Sequence, residues 1–382
     1  MADSAAQTTN PTIDDAAICS LKVSDILLPH PSNPKSFCLG PRTYENPIDL
    51  ISWETNRIPF SWITWYSRVA KTYMPLWQDL NIADALSVSL SPLDKDENLL
   101  KTIGYFWSDA LNCFLFGHGP MTITLLDVTM ITGLDIGSPN PAAHKMAEVP
   151  FKLSSKEYTA FLNLWLEHFI FCGPSLAPTK NYLLLAYHLA HGNHTGLSKL
   201  FLEETYRYLH LMTSNLLNQK ELRTGGPWWF IQLWAQLYFQ HYIPNFQGLT
   251  KNPFPDESGK TIRCTSYGQA LFSLPGSKLN SADAANWFIV FYKGLENPLH
   301  FPFTESKSFE NPAAFRLDNF ADDDSTRHLY SLMIRPGFLP VGISTPNRII
   351  KPGYETYKPV IAAQQFGLGQ VPPHFHIHHL VE

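Results

Sequence analysis

From Pro59 onward, apolar residues recur at helical spacing along most of the chain. Ile63, Tyr66, Ala70 and Tyr73 share one face, with Trp62 and Trp65 beside it, and Pro75 is expected to break that helix. Leu76 to Leu86 predicts a further short helix, and Pro92 separates it from the most informative stretch, Leu99 to Gly137. There Leu99, Ile103, Phe106 and Ala110 follow a helical period, with Trp107 and Leu111 widening the stripe. Asp94, Asp96 and Glu97 place negative charge at its start, where the helix dipole favours it. Gly117, Gly119 and Pro120 interrupt the period and predict a short extended turn. Thr124 then opens a second helix in a T-x-x-D capping box with Asp127, and Gly133 and Gly137 stop it.

Further along, Ser154 and Glu157 predict another capping box before a helix marked by Tyr158, Leu162, Trp165 and Phe169 and ended by Gly173 and Pro174. Asn181 to Ala190 reads as a short helix stopped by Gly192, and Leu202, Tyr206, Leu209, Met212 and Leu216 mark the next, from about Ser198. Pro227 suits the first turn of a helix over Trp228 to Tyr242 that is apolar almost all round, which predicts a central, buried position. Its polar stripe, Gln232, Gln236 and Gln240, reads as a strip reaching the surface or as a hydrogen-bonding ridge for a partner. Pro244 to Lys260 reads as loop, Thr265 to Leu274 and Ala282 to Lys293 as short helices, and Asn297 to Asn311 as aromatic loop. Asp322 to Asp324 precede a helix through His328 and Leu332, the segment RPGFLPVGIS is too rich in Pro and Gly for helix and reads as extended, and Pro359 starts a last helix closed by Gly367.

Composition narrows the class. With 45% hydrophobic and 13% aromatic residues over 382 positions, the chain can build a substantial core. Only 16% of residues are charged, so the surface must rely on neutral polar residues and exposes aromatic area that a partner could cover. A net charge of -5 argues against broad nonspecific binding to phosphates, while leaving room for a local basic groove. Five dispersed cysteines without a C-x-x-C spacing argue against a disulfide framework and a structural zinc site. The first twenty residues lack a basic and an apolar region and do not read as a signal peptide, residues 1 to about 40 read as a mobile tail, and no apolar run is long enough to span a membrane.

Several ordered blocks also carry a resemblance. Phe106, Trp107 and Ser108, then Asn112, Phe114 and Phe116, Met121-Thr122, Thr124-Leu125, Asp127-Val128 and Thr132-Gly133-Leu134 resemble the core signature of the plant mobile domain. PWWFIQLWAQLYF is similar to that family's aromatic helix, Arg335-Pro336 with Phe338-Leu339-Pro340 to its R-P-x-F-L-P segment, and Gln365-Phe366-Gly367 with Gln370 and Pro372 to its closing block. The chain departs from the pattern at Pro120, Ile123, Leu126 and Gln364, losing charged or capping residues there. The resemblance implies a mainly helical domain without established catalysis, carried in land plants by host proteins and by transposable elements. It further implies a nuclear interaction module in transposable-element silencing and meristem maintenance, working beside a plant serine/threonine phosphatase. The alternative label "aminotransferase-like" lacks chemical support, since the sequence shows no Gly-rich phosphate loop after a strand.

Candidate chemistry is weighed residue by residue. His188, His191 and His194 have ligand-like spacing, but Gly192 interrupts the helix; His374, His376, His378 and His379 form a denser tract in a tail. Cys113 and His118 could form a nucleophile pair only with an accessible thiol, and Cys113 falls among apolar residues that predict burial. Asp127 could act as an acid, but its capping role already accounts for it. For nucleic acid, Arg57, Arg68 and Lys71 interleave with Trp62, Trp65 and Tyr66, and Lys199, Arg207 and Lys220 form a second set. The expectation is therefore a mainly α protein: a flexible tail over 1–40, a single large multi-helix domain with short extended segments over 41–372, and a His-rich tail over 373–382. It is expected to be non-enzymatic, with no cofactor or metal and no membrane segment. Phe106, Trp107, Thr124, Asp127 and Gly133 are its structural signature, Gln232, Gln236 and Gln240 a partner surface, and direct nucleic-acid binding the alternative.

Overall fold

The computed structural model describes residues 48–50, 60–90, 95–134, 136, 156–173, 179–217, 222–239, 254–255, 261–262, 268, 278–295, 331–341 and 353–366. Of these, 64% are helical and 10% strand, so the chain is mainly α. The order is β1 (Ile48–Leu50), α1 (Phe60–Asp79), α2 (Ala83–Val88), α3 (Glu97–Gly104), β2 (Trp107–Ser108), β3 (Cys113–Phe116), β4 (Gly119–Met121) and α4 (Leu125–Thr132). Next come α5 (Lys156–Trp165) with a π-helical turn (Leu166–Ile170), α6 (Leu183–Ala190), α7 (Leu197–Leu217), β5 (Leu222–Thr224) and α8 (Trp228–Tyr238). The chain closes with β6 (Phe254–Pro255), β7 (Thr261–Ile262), α9 (Ser281–Lys293), β8 (Gly337–Pro340), β9 (Tyr354–Tyr357) and a 3₁₀ segment (Pro359–Phe366). β1 pairs parallel with β5, while β2-β3-β4, β6-β7 and β8-β9 are small antiparallel sheets.

The helix expected from Leu99 to Leu111 ends at Gly104. Its start is as expected: Asp96 caps it by accepting from the Leu99 amide at 3.0 Å, and Glu97 and Lys101 pair one turn apart at 3.1 Å. At Gly104 the Met212 methyl lies 2.5 Å from where a Cβ would stand, so α7 packs directly on the backbone. Beyond it the stripe fails, because Asp109 and Ala110 are exposed. Aromatic residues with β preference take over and form a three-stranded meander, with Trp107 opposite Phe114 and Phe114 opposite Met121. Asn112 makes the turn with φ 55°, a left-handed conformation that Asn tolerates better than most residues.

Pro75 does not end α1; the helix runs through it to Asp79, and the break falls at Asn81, which has φ 54°. Pro75 is exposed, and at its position α1 simply lacks one backbone donor. The second signature helix forms as expected, with Thr124 as N-cap, the reciprocal capping box with Asp127, and Gly133 at φ 75° closing it. The extended reading of RPGFLPVGIS holds for β8, whose Leu339 faces Glu355 of β9. The expected loop from Pro244 to Lys260 holds the short strand β6, while the helix expected at Thr265 to Leu274 lies almost wholly outside the described residues.

A single aromatic-rich core joins these elements. α8 lies at its centre: every residue from Trp228 to Tyr238 is buried except half-buried Gln236. Trp234 stacks on Phe114 at 5.1 Å, and the Trp229 indole donates to the Phe169 carbonyl at 2.8 Å. Trp62 is sandwiched between Phe161 and Phe169, at 4.8 and 4.7 Å. Among the described residues no helix is long and apolar enough to cross a membrane. Trp107 is fully enclosed against Phe114 and Tyr206. Trp107→Ala is expected to cost about 3–5 kcal/mol, read as a lowered denaturant midpoint in chemical unfolding.

Candidate functional site

The short link between β4 and α4, Thr122 to Leu125, is buried, so each of its main-chain polar groups requires a partner. Those partners come from distant elements. The Thr122 amide donates to Gln365 Oε1 at 2.9 Å, and the Leu125 amide to the Tyr357 hydroxyl at 3.0 Å. The Tyr206 hydroxyl donates to the Ile123 carbonyl at 2.6 Å, and the Thr122 hydroxyl to the Asn112 carbonyl at 2.6 Å. The Tyr357 hydroxyl in turn donates a hydrogen bond to the Met333 carbonyl. The result is a polar junction where the meander, α4, α7, α8 and the C-terminal segment meet.

Asp127 lies at its centre and is wholly buried. One carboxylate oxygen accepts from the Thr124 amide and hydroxyl, each at 2.7 Å, and the other from the Tyr238 hydroxyl at 2.8 Å. The Trp234 indole leans the same way without completing a bond. Burial outweighs these donors and holds the carboxyl at about 6, above its ordinary value. Wholly buried and accepting hydrogen bonds at both oxygens, Asp127 acts as a structural cap.

Asn112 forms the outer edge of the junction. Its Nδ2 donates to Glu355 Oε1 at 2.8 Å and to the Thr356 carbonyl at 2.9 Å, while its Oδ1 accepts from His210 Nε2 at 2.8 Å. Burial pulls the His210 imidazole below its ordinary value, with the Glu355 charge opposing. On the neighbouring turn, Asp109 is exposed as a residue, yet partial desolvation of its carboxyl, with the Glu355 charge adding, raises it to about 6.

The residues singled out in the sequence separate here. Phe106, Trp107, Thr124, Asp127 and Gly133 converge on the core and junction. The glutamine stripe does not form a surface ridge: Gln232 is 2% exposed, and its Oε1 accepts from the Asp96 amide at 2.8 Å, tying α8 to the start of α3. Gln236 is half-buried, and Gln240 lies outside the described residues. At a buried position of this central helix, a polar residue such as Gln232 is retained by a partner rather than by water.

The basic set fares similarly. Arg57 lies outside the described residues; Arg68 pairs with Glu157, which also accepts from the Trp65 indole at 3.1 Å. Lys71 is exposed, but Trp62 and Tyr66 are core residues and cannot stack on bases. Burial pushes the Cys113 thiol up to about 12, so it carries no thiolate at neutral pH. His118 engages the Leu295 amide and the Met121 sulfur. His191 caps α6 through the Tyr187 carbonyl, and the C-terminal His tract lies outside the described residues. Among the described residues, no three His, Cys, Asp or Glu side chains are grouped to hold a metal. Sequence reasoning missed Tyr357, Glu355, His210 and Asp109, which no local pattern links to Asn112 or Thr122.

The family model for the plant mobile domain matches residues 141–380, more than half of the chain. The chain belongs to the plant mobile domain family. The match covers α5 to the 3₁₀ segment, which supply Tyr206, Tyr238, Tyr357 and Gln365; Asn112, Thr122 and Asp127 precede it. The junction thus joins the matched plant mobile domain region to the segment before it. No curated protein and no solved structure matches the chain.

Because the Asp127 value is raised on folding, its proton-linked stabilisation is complete below the unfolded value near 3.8 and is lost as pH rises through about 6. The stability difference between wild type and Asp127→Asn should therefore move against wild type by about 2–3 kcal/mol from pH 4 to pH 8. Denaturant unfolding of both proteins across that range measures it, and parallel profiles would show that the buried carboxylate does not titrate.

Proposed function

We propose that this plant mobile domain chain is a non-catalytic protein-interaction module, acting in the nucleus in transposable-element silencing and meristem maintenance, with a serine/threonine phosphatase as partner. The cellular roles and the phosphatase rest on the family. The interaction reading is supported chiefly by one structural observation. Phe338 and Tyr354, at 69% and 70% exposure, stand on adjacent strands of the β8–β9 hairpin with ring centroids 6.1 Å apart. They share the outer face, because Leu339 and Tyr357, on the opposite face, are buried. Val360 and Leu211 are also exposed, on the following 3₁₀ segment and on α7, against which β8 packs. Large apolar side chains held in water on a two-stranded sheet favour a covering partner.

The junction supports the same reading from the other side. Its ionisable groups are engaged in holding the hairpin, meander and helices together, which suits a scaffold. The partner surface in this reading is the hairpin's outer face rather than the glutamine stripe, since Gln232 is internal. The double substitution Phe338→Ala/Tyr354→Ala should leave the melting temperature within a few degrees and abolish co-purification of a phosphatase from nuclease-treated plant nuclei. Undiminished phosphatase capture would move the partner surface elsewhere. Capture that disappears with nuclease in the wild type would instead favour nucleic-acid binding.

A further inference from the structure

The outer face of the β8–β9 hairpin combines apolar area with an excess of positive charge. The register puts Phe338 opposite Thr356 and Pro340 opposite Tyr354 on that face, with Leu339, Glu355 and Tyr357 on the inner one. From Arg335 to Val360 the sequence holds four basic residues, Arg335, Arg348, Lys351 and Lys358, and a single acidic one, Glu355. The chain as a whole has a net charge of -5, so the excess is local. Glu355 does not offset it on the outer face. It lies opposite buried Leu339, and its Oε1 accepts from the Asn112 side chain at 2.8 Å and from the Thr356 amide at 3.0 Å. Arg335 and Lys358 flank the open end of the hairpin, just before and just after the Gly337–Tyr357 pair. Arg335 is exposed and Lys358 half-buried, and neither has an ion-pair partner among the described residues. Arg348 and Lys351 lie outside the described residues.

We propose that the hairpin's outer face receives a short segment of a partner protein that carries apolar side chains close to carboxylates. The inference rests on the interaction reading above and gives that surface a ligand chemistry. The apolar side chains cover Phe338 and Tyr354, and the carboxylates meet Arg335 and Lys358. Arg335 to Pro340, which lies opposite Tyr354, spans roughly 17 Å of extended chain, so a partner segment of about five residues reaches both features. Covering the aromatic pair excludes water around it, and the flanking charges then set the choice of partner. A single-stranded nucleic acid would use the same cations, but it stacks its bases face-on against aromatic rings. Here the two rings are inclined at 64°, and the other exposed apolar neighbours, Val360 and Leu211, are aliphatic. That geometry favours inserted side chains over stacked bases.

Selection from a displayed library of randomised peptides on the full chain provides the test. Recovered peptides should be enriched in Asp and Glu within about five residues of large apolar side chains, and depleted in Lys and Arg. In titrations of the most enriched peptide, Phe338→Ala/Tyr354→Ala should weaken binding at least about thirtyfold. Arg335→Glu/Lys358→Glu should weaken it about tenfold and Arg335→Gln/Lys358→Gln about threefold, with melting temperatures within a few degrees of wild type. Affinity should also fall between about 0.05 and 0.5 M salt. Binders without acidic bias, no hairpin-dependent binders, or unchanged affinity after charge reversal overturns the proposal. So does a single-stranded oligonucleotide of about ten nucleotides that displaces the peptide and needs Phe338 and Tyr354 to bind. Phosphatase capture separates this proposal from the reading beneath it. Capture that needs the aromatic pair but ignores Arg335→Glu/Lys358→Glu overturns the acidic chemistry and leaves the interaction module standing. Acidic, hairpin-dependent binders without phosphatase capture support the chemistry and remove the phosphatase.

Discussion

The constraint on which this fold turns is the burial of the main chain from Thr122 to Leu125. Four residues enter the core between a strand and a helix, where neither a ladder nor an intrahelical bond is available to all their polar groups. An unmade buried bond costs about 1–3 kcal/mol, so partners must be delivered from elsewhere. Asp127 serves the Thr124 amide, Gln365 that of Thr122, Tyr357 that of Leu125, and Tyr206 the Ile123 carbonyl. Those side chains are drawn from four separate elements. Satisfying one short link therefore fixes the positions of the C-terminal segment, α7 and α4 relative to the meander.

The aromatic core and this polar junction work together. α8 contributes Trp234 to the stack on Phe114 and Tyr238 to the Asp127 carboxylate, so the helix that fills the interior also completes the cap. Gln232 does the equivalent one turn and a half earlier, binding the Asp96 amide while Asp96 caps α3 and receives the Leu279 amide. Polar groups in the core of this protein are thus concentrated at helix starts, where unpaired amides are unavoidable. That pattern explains how a chain with few charges can hold many short elements in one arrangement.

The outer surface shows the opposite economy. The β8–β9 hairpin is tied down on its inner face by Leu339, Tyr357 and Glu355 and presents Phe338 and Tyr354 outward. Its inner contacts include the Asn112 side chain, which donates to Glu355 Oε1 and to the Thr356 carbonyl, so the segment that carries the exposed aromatic pair is tied to the meander by hydrogen bonds.

The local chemistry of single elements was legible in the sequence. The Thr124–Asp127 capping box, the αL stop at Gly133, the buried aromatic helix after Pro227 and the extended RPGF segment all follow from residue types at fixed short spacing, because a cap or turn is decided within four or five residues. Where local signals competed, sequence alone chose wrongly: a helical stripe through Phe106 and Ala110 against β-forming aromatics and Asn112, and Pro75 against the packing that carries α1 onward. Those outcomes were decided by what lies beside the segment, Met212 on Gly104 in the first case. The roles of Gln232, Glu355, His210 and Tyr357 were set only by tertiary structure. A polar side chain records in its own sequence neighbourhood that it can make a hydrogen bond, but not which group on a distant element, the Asp96 or Leu125 amide or the Asn112 side chain, will need one.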